Sequence, residues 1–135
     1  MKARLLGEIE VVTYGPNKLF DLTDRIASMV REEGDVTGIL CLNSMGSTGG
    51  LVLTYGDQST VNEFERSLWD LVSTYGWRPP GNAYAHLRSS LIGTFLALPV
   101  IKGRLSIGDG EKIFFLENQM VVNRHRRIVV SLILD

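Results

Sequence analysis

The last third of the chain is a succession of short apolar runs, Thr94 to Ile101, Arg104 to Ile107, Lys112 to Glu117 and Arg127 to Leu134, separated by turn pairs at Lys102-Gly103 and Asp109-Gly110. Runs of this length between glycine-containing turns are strands rather than helices, and in sequence they predict a β-meander. A chain with this ending must build its core on a sheet. Upstream, strands and helices mix without strict βαβ alternation, which favours an α+β architecture with largely antiparallel sheets over a doubly wound one.

The upstream elements follow from periodicity. Glu8 to Tyr14 alternates apolar and acidic residues at the period of a half-buried strand and stops at Gly15-Pro16-Asn17. Leu22, Ile26, Met29 and Val30 give Asp21 to Glu33 one apolar helical face, with Asp21 as the expected N-cap and Gly34 as the stop. Val36 to Asn43 and Leu51 to Tyr55 read as strands flanking a glycine-rich turn. Thr60 to Tyr75 reads as a second helix with capping-box spacing at Thr60 and Glu63. Trp77-Arg78-Pro79-Pro80-Gly81 cannot be helical, and Tyr84 to Ile92 is a brief third helix. The expectation is therefore two main helices and one short helix packed on antiparallel sheets.

Size and charge narrow the functional classes. With 135 residues the chain matches one domain, 1–135, on a scale of roughly 150 residues per domain. A formal charge of −1 supplies no global positive field for nucleic acid or anionic membrane. No apolar run approaches the roughly 18 residues that span a bilayer. Glu8 and Glu10 interrupt what would otherwise be a signal peptide, so the cytoplasm is the expected location. Cys41 lies in an apolar run and reads as a small buried hydrophobe.

Candidate chemistry sits in four places. In Ser44-Met45-Gly46-Ser47-Thr48-Gly49-Gly50 the glycines free the backbone to approach a ligand, and Ser47 and Thr48 can donate to a phosphate. The segment lacks a Walker ending, and a glycine-assisted hairpin turn is the competing reading. In Asn82-Ala83-Tyr84-Ala85-His86-Leu87-Arg88, Asn82 reaches His86 at i+4 on a helix. His86 suits acid or base work and Arg88 a phosphate clamp, but Arg88 diverges from His86 unless the segment bends. Arg124-His125-Arg126-Arg127 precedes the last strand, where only alternate residues share a face; a solvated strand edge is its plainer explanation. Asp109-Gly110-Glu111 is a turn with two carboxylates, with Glu111 a further candidate for a site.

The ordered stretches Asn82 to Gly93, Leu98-Pro99-Val100 and Gly103-Arg104-Leu105-Ser106-Ile107-Gly108 resemble the YjbQ-like family, which includes secondary thiamine-phosphate synthases. That family carries Asn-Ser-Asp-Ala-His-Leu/Ile-Lys-Ala-Ser-Leu-Leu-Gly, then Ile-Pro-Val, then Gly-Arg-Leu and a Gly-Thr-Trp-Gln turn. The likeness covers nearly the whole chain. Its departures fall at functional positions. The family's His-Thr-Thr-Ala-Gly aligns with Gly46-Ser47-Thr48-Gly49-Gly50, which loses the histidine, and the motif aspartate is Tyr84. Gly108-Asp109-Gly110-Glu111 replaces the aromatic turn.

The resemblance implies an α+β subunit assembling as a homotrimer with pockets near subunit boundaries. It also implies chemistry in which a thiazole phosphate nitrogen captures a methylene carbon as pyrophosphate leaves. Such a reaction asks for anion stabilisation and positioning, with magnesium where carboxylates permit. The surviving candidates are His86 for catalysis and Ser47, Thr48, Gly49, Gly50, Asn82, Arg88 and Arg126 for phosphate. The resulting expectation is a binder of a phosphorylated small molecule with weak thiamine-phosphate synthase activity. The alternative is a non-catalytic trimeric assembly or regulatory protein with a degenerate site. Nucleic-acid binding would rest on Arg124 to Arg127 alone and is disfavoured by the charge balance.

Overall fold

The computed structural model describes residues 1–135. In chain order the elements are β1 (Lys2–Thr13), β2 (Lys18–Asp21), α1 (Thr23–Arg31), β3 (Gly38–Ser44), β4 (Gly49–Tyr55) and α2 (Gln58–Leu71), then α3 (Ala83–Ile92), β5 (Phe95–Ile101), β6 (Arg104–Leu105), β7 (Glu111–Glu117) and β8 (Arg124–Leu134). They form a five-stranded sheet in the order β1-β8-β3-β5-β6 and a three-stranded sheet in the order β2-β7-β4. Every strand pairing is antiparallel. The fold is α+β with antiparallel sheets and three helices, as the sequence predicts.

The meander is not formed, and β7 shows why. Ile113-Phe114-Phe115-Leu116 is apolar at every position, so neither face of the strand tolerates water. Ile113 and Phe115 enter the core between the two sheets, while Phe114 and Leu116 pack with Leu68 of α2. A strand buried on both faces has to lie in the middle layer, and β7 accordingly leaves its chain neighbours to sit between β2 and β4. β8 keeps a true alternation, turning Ile128, Val130 and Leu132 inward, and returns to lie between β1 and β3. Of the expected turns, Lys102-Gly103 makes a two-residue hairpin between β5 and β6, with φ of 49° and 76°, as a type I′ turn requires.

The glycine-rich segment after β3 is likewise not a hairpin. Both edges of β3 are taken, by β5 and β8, so the chain crosses to the other sheet and enters β4 beside β7. This crossover ends at Gly49, whose hypothetical Cβ would lie 2.3 Å from the Phe115 ring. The next residue is pinned to the end of α3: a Cβ on Gly50 would meet the Gly93 carbonyl at 3.1 Å. Leu51 N donates to Gly93 O at 3.1 Å, Ser89 Oγ to Gly49 O at 2.5 Å, and Ser44 N to Thr94 O at 2.8 Å.

Helix ends depart from the sequence reading for local reasons. Asp21 is not the N-cap of α1; Leu22 occupies that position, while Asp21 accepts from Thr23 N at 2.9 Å. Burial works against the Asp21 carboxylate, but hydrogen bonds from Thr23 and Lys112 prevail and hold its pKa below the ordinary value. α2 is capped by Asp57, which accepts from Thr60 N at 3.0 Å, rather than by Thr60. It ends at Leu71 instead of Tyr75, because Val72 turns extended to pack with Tyr84 and Ala85 of α3. β1 begins at Lys2, earlier than its alternation reveals, since a register shift between Leu5 and Gly7 breaks the period.

The Gly49→Ala variant should lose about 1–3 kcal/mol of stability, the usual cost of forcing volume into a packed core. Urea denaturation measures this, and an unchanged midpoint would show that the Phe115 contact does not fix the crossover.

Candidate functional site

The crossover from Met45 to Thr48 and the exposed side of α3 face each other across a hollow of about 400 Å³ lined by Gly46, Ser47, His86, Ser89, Ser90, Gly93 and Thr94. His86, Ser89, Ser90 and Gly93 stand at i, i+3, i+4 and i+7, so one helical face supplies a whole wall. No apolar side chain and no carboxylate lines it. Its centre is the His86 ring. Ser47 Oγ lies 3.1 Å from His86 Nδ1, and Asn82 Nδ2 lies 3.4 Å from His86 Nε2. The i+4 spacing of Asn82 and His86 thus brings amide and imidazole together.

The crossover is well supplied with donors. Its position is fixed at Met45, whose amide donates to Arg127 O at 2.9 Å, and at Thr48, whose carbonyl accepts from Asn118 N at 3.2 Å. Between these anchors the amides of Gly46, Ser47 and Thr48 make no hydrogen bond within the chain. Successive free amides of this kind form a concavity that favours anions.

Arg126 lies beneath the loop. Its Nε donates to Glu117 Oε1 at 2.7 Å, and its Nη2 donates to Glu117 Oε2 at 2.5 Å and to Thr48 Oγ1 at 2.8 Å. Its Nη1 makes no such bond and lies 3.5 Å from the point a Cβ on Gly46 would occupy. Glycine at position 46, with φ of 100°, permits the bend and sets no side chain against Nη1 of the buried guanidinium. Glu117 is fully buried and also accepts from Thr13 Oγ1 at 2.6 Å and Gln119 N at 3.1 Å.

Residues 7–135 match the sequence model of the family described as UPF0047 protein YjbQ-like. A UPF0047 protein of Methanothermobacter thermautotrophicus is 30% identical over 128 residues, covering 92% of this chain and 90% of that one. The chain belongs to the YjbQ-like family. A UPF0047 protein of Archaeoglobus fulgidus is 28% identical over 129 residues, covering 92% of this chain and 98% of its own length. The fold is shared with a YbjQ-like protein of unknown function from Sulfolobus solfataricus, at a TM-score of 0.89 and 24% identity over 99% of both chains. It is also shared with a conserved hypothetical protein of Thermus thermophilus, at a TM-score of 0.78 and 28% identity over 93% of this chain and 98% of that one.

Within this YjbQ-like chain the structure gathers Ser47, Asn82 and His86 and sends other candidates elsewhere. Arg88 is not a clamp in the hollow. It is fully buried behind α3, donating from Nη2 to Val72 O at 2.5 Å and to Thr74 Oγ1 at 2.8 Å, with its guanidinium 5.1 Å from the Tyr84 ring and 5.8 Å from Trp69. The helix does not bend, so residues 86 and 88 diverge. Burial pushes the Arg88 pKa below its ordinary value, with Tyr84 opposing. Gly49 and Gly50 are buried packing positions rather than a ligand cradle, and the Thr48 hydroxyl is turned inward to Arg126. Glu111 accepts from Gly108 N at 2.6 Å within its own turn. At roughly 3.3 Å per residue it sits about 20 Å along β7 from Glu117. The basic run pairs with β1 on one side only, because the β3 pairing of β8 ends at Ile128, and its side chains are exposed except for Arg126. Ser89, Ser90, Gly93 and Thr94 escaped the sequence reading, although the helical spacing from His86 carried the signal for three of them.

Magnesium is the cofactor that the family resemblance brings to mind. The hollow offers hydroxyls, one imidazole and one amide, a donor set that does not fit a hard cation requiring carboxylate oxygens.

Replacing Glu117 by Gln should destabilise the protein by about 3–5 kcal/mol, because the buried Arg126 charge loses its counter-ion. Adding Arg126→Met should recover much of the loss. Chemical denaturation of the single and double variants tests the coupling, and additive losses would refute it.

Proposed function

We propose that the hollow between the β3–β4 crossover and α3 binds a phosphorylated small molecule. The observation that carries this reading is the set of free amides at Gly46, Ser47 and Thr48, in the crossover that walls a polar hollow opposite His86. An anion there would meet backbone donors, the Ser47 hydroxyl and the His86 ring without facing a carboxylate. The acid and base work falls to His86, held between Ser47 and Asn82.

The finer reading extends the family resemblance: a slight thiamine-phosphate synthase activity, in which these donors stabilise the departing pyrophosphate while His86 manages protons. Two motif side chains, the first histidine and the aspartate, stand as Gly46 and Tyr84, and the expected turnover is correspondingly weak.

Self-association into a homotrimer belongs to the same proposal. The outward face of the five-stranded sheet exposes Ile39, Phe95 and Ile101, together with Pro99, over adjoining strands. Apolar patches of this kind on a small domain mark contact surfaces. Thr94, which lines the hollow, directly precedes Phe95 on that face, so a neighbouring copy would sit near the hollow's rim. This bare face, together with the withdrawal of Arg88 from the hollow, also favours the second reading of a non-catalytic assembly that keeps the fold.

Phosphate and pyrophosphate titrations followed by amide chemical shifts should perturb residues 46–48 and 86. Ser47→Ala should weaken binding by about threefold to tenfold, the loss of one hydrogen bond, and Arg88→Met should leave it unchanged. Shifts confined to other residues would remove the site. In light scattering, a trimer that separates into monomers in the Ile39→Glu, Phe95→Glu variant is the expected result for the sheet face; a wild-type monomer at high concentration would contradict it.

A further inference from the structure

We infer that Ser47 is a nucleophile, activated by His86, that accepts an acyl group from a small polar ester. The inference takes from the proposed function only the location of the site, and the chemistry is argued independently.

A serine hydroxyl becomes reactive when a base lies within hydrogen-bond reach and a further group orients that base. Here Ser47 Oγ is 3.1 Å from His86 Nδ1, and the Asn82 amide lies against the opposite ring nitrogen at 3.4 Å. Amide oxygen and nitrogen are assigned by the hydrogen-bond network. Exchanging the two near-identical amide atoms puts Asn82 Oδ1 where Nδ2 now faces Nε2; the ring then holds its proton on Nε2 and offers the Nδ1 lone pair to the serine. Hydroxyl, imidazole and orienting amide then form a three-member array, which is recognised by geometry and roles rather than by chain position.

The second requirement is a set of donors for a developing oxyanion. Ser47 stands between the free amides of Gly46 and Thr48 and has a free amide of its own. Gly46, at φ of 100°, gives the sharp bend that presents the hydroxyl to solvent. In the reaction, Ser47 Oγ bonds to the ester carbonyl carbon as its proton passes to His86 Nδ1, and the carbonyl oxygen becomes anionic. The bond to the alcohol oxygen then breaks, that oxygen takes the proton from Nδ1, and Ser47 is left acylated. Water attacks the acyl carbon with His86 again receiving a proton, and the carboxylic acid leaves as Ser47 recovers its hydrogen. The lining contains no apolar side chain, so the acyl group it suits is short and polar rather than a fatty chain.

The test uses the full chain with p-nitrophenyl acetate. The expected result is a burst of p-nitrophenolate approaching one per chain and an acetyl mass on the peptide containing Ser47. Both should be lost in Ser47→Ala, and His86→Gln should slow acylation at least about 100-fold, as removal of a general base does. An unchanged rate in Ser47→Ala, or acetyl found only on lysine or histidine, overturns the inference. Inorganic phosphate should compete with acetylation. Phosphate shifts at residues 46–48 without acylation would sink the nucleophile and keep the anion site; acylation of Ser47 without phosphate binding would do the reverse.

Discussion

The buried pair of Glu117 and Arg126 joins the two sheets at the end where the hollow forms. Glu117 closes β7 in the three-stranded sheet and Arg126 opens the inward face of β8 in the five-stranded one, and both are almost wholly out of water. Two charges so placed lose most of their hydration, and their attraction only roughly offsets that loss. The benefit is geometric. A carboxylate that receives both Nε and Nη2 fixes the guanidinium plane, and the remaining donors around it come from β1 through Thr13 and from the chain after β7 through Gln119. With the plane fixed, Nη2 also holds Thr48 and Nη1 is left toward Gly46. The position of Ser47 is thereby set by contacts from three strands, none of which touches the hollow directly.

How much of this could be read from the residues depends on whether the determining interaction was local. The apolar faces of α1 and α2, the Lys102-Gly103 turn and the i+4 meeting of Asn82 with His86 follow from spacing within one element, and they were legible. The partner of a strand is a non-local property. Ile113-Phe114-Phe115-Leu116 is apolar on both faces, yet its neighbours in sequence suggest a hairpin; its place between β2 and β4 depends on layers supplied by distant parts of the chain. The end of α2 is non-local in the same way, since Val72 is drawn out of the helix by α3.

The candidate residues divide along the same line. Small and basic residues in a polar motif invite a functional reading, but the same residue types are what a tight packing contact or an internal tie requires. Gly49 and Gly50 are glycine because Phe115 and Gly93 leave no volume for a Cβ. Thr48 and Arg126 are polar because they face each other and Glu117. Only Gly46 and Ser47, between these anchored ends, remain free of structural duty, and the functional reading therefore contracts onto them and onto the face of α3 that carries His86.

Arg88 shows the limit of motif reasoning most sharply. Its guanidinium stacks near Trp69 and Tyr84 and satisfies Val72 and Thr74 through one nitrogen, while Nε and Nη1 find no partner in the chain. A buried cation with two unmet donors and no carboxylate is costly, so its presence calls for some compensating role. The visible one is to tie the extended segment after α2 to the back of α3. That tie lies outside the lining of the hollow, and so Arg88 serves the packing of the segment after α2 rather than a ligand or the Ser47–His86 pair.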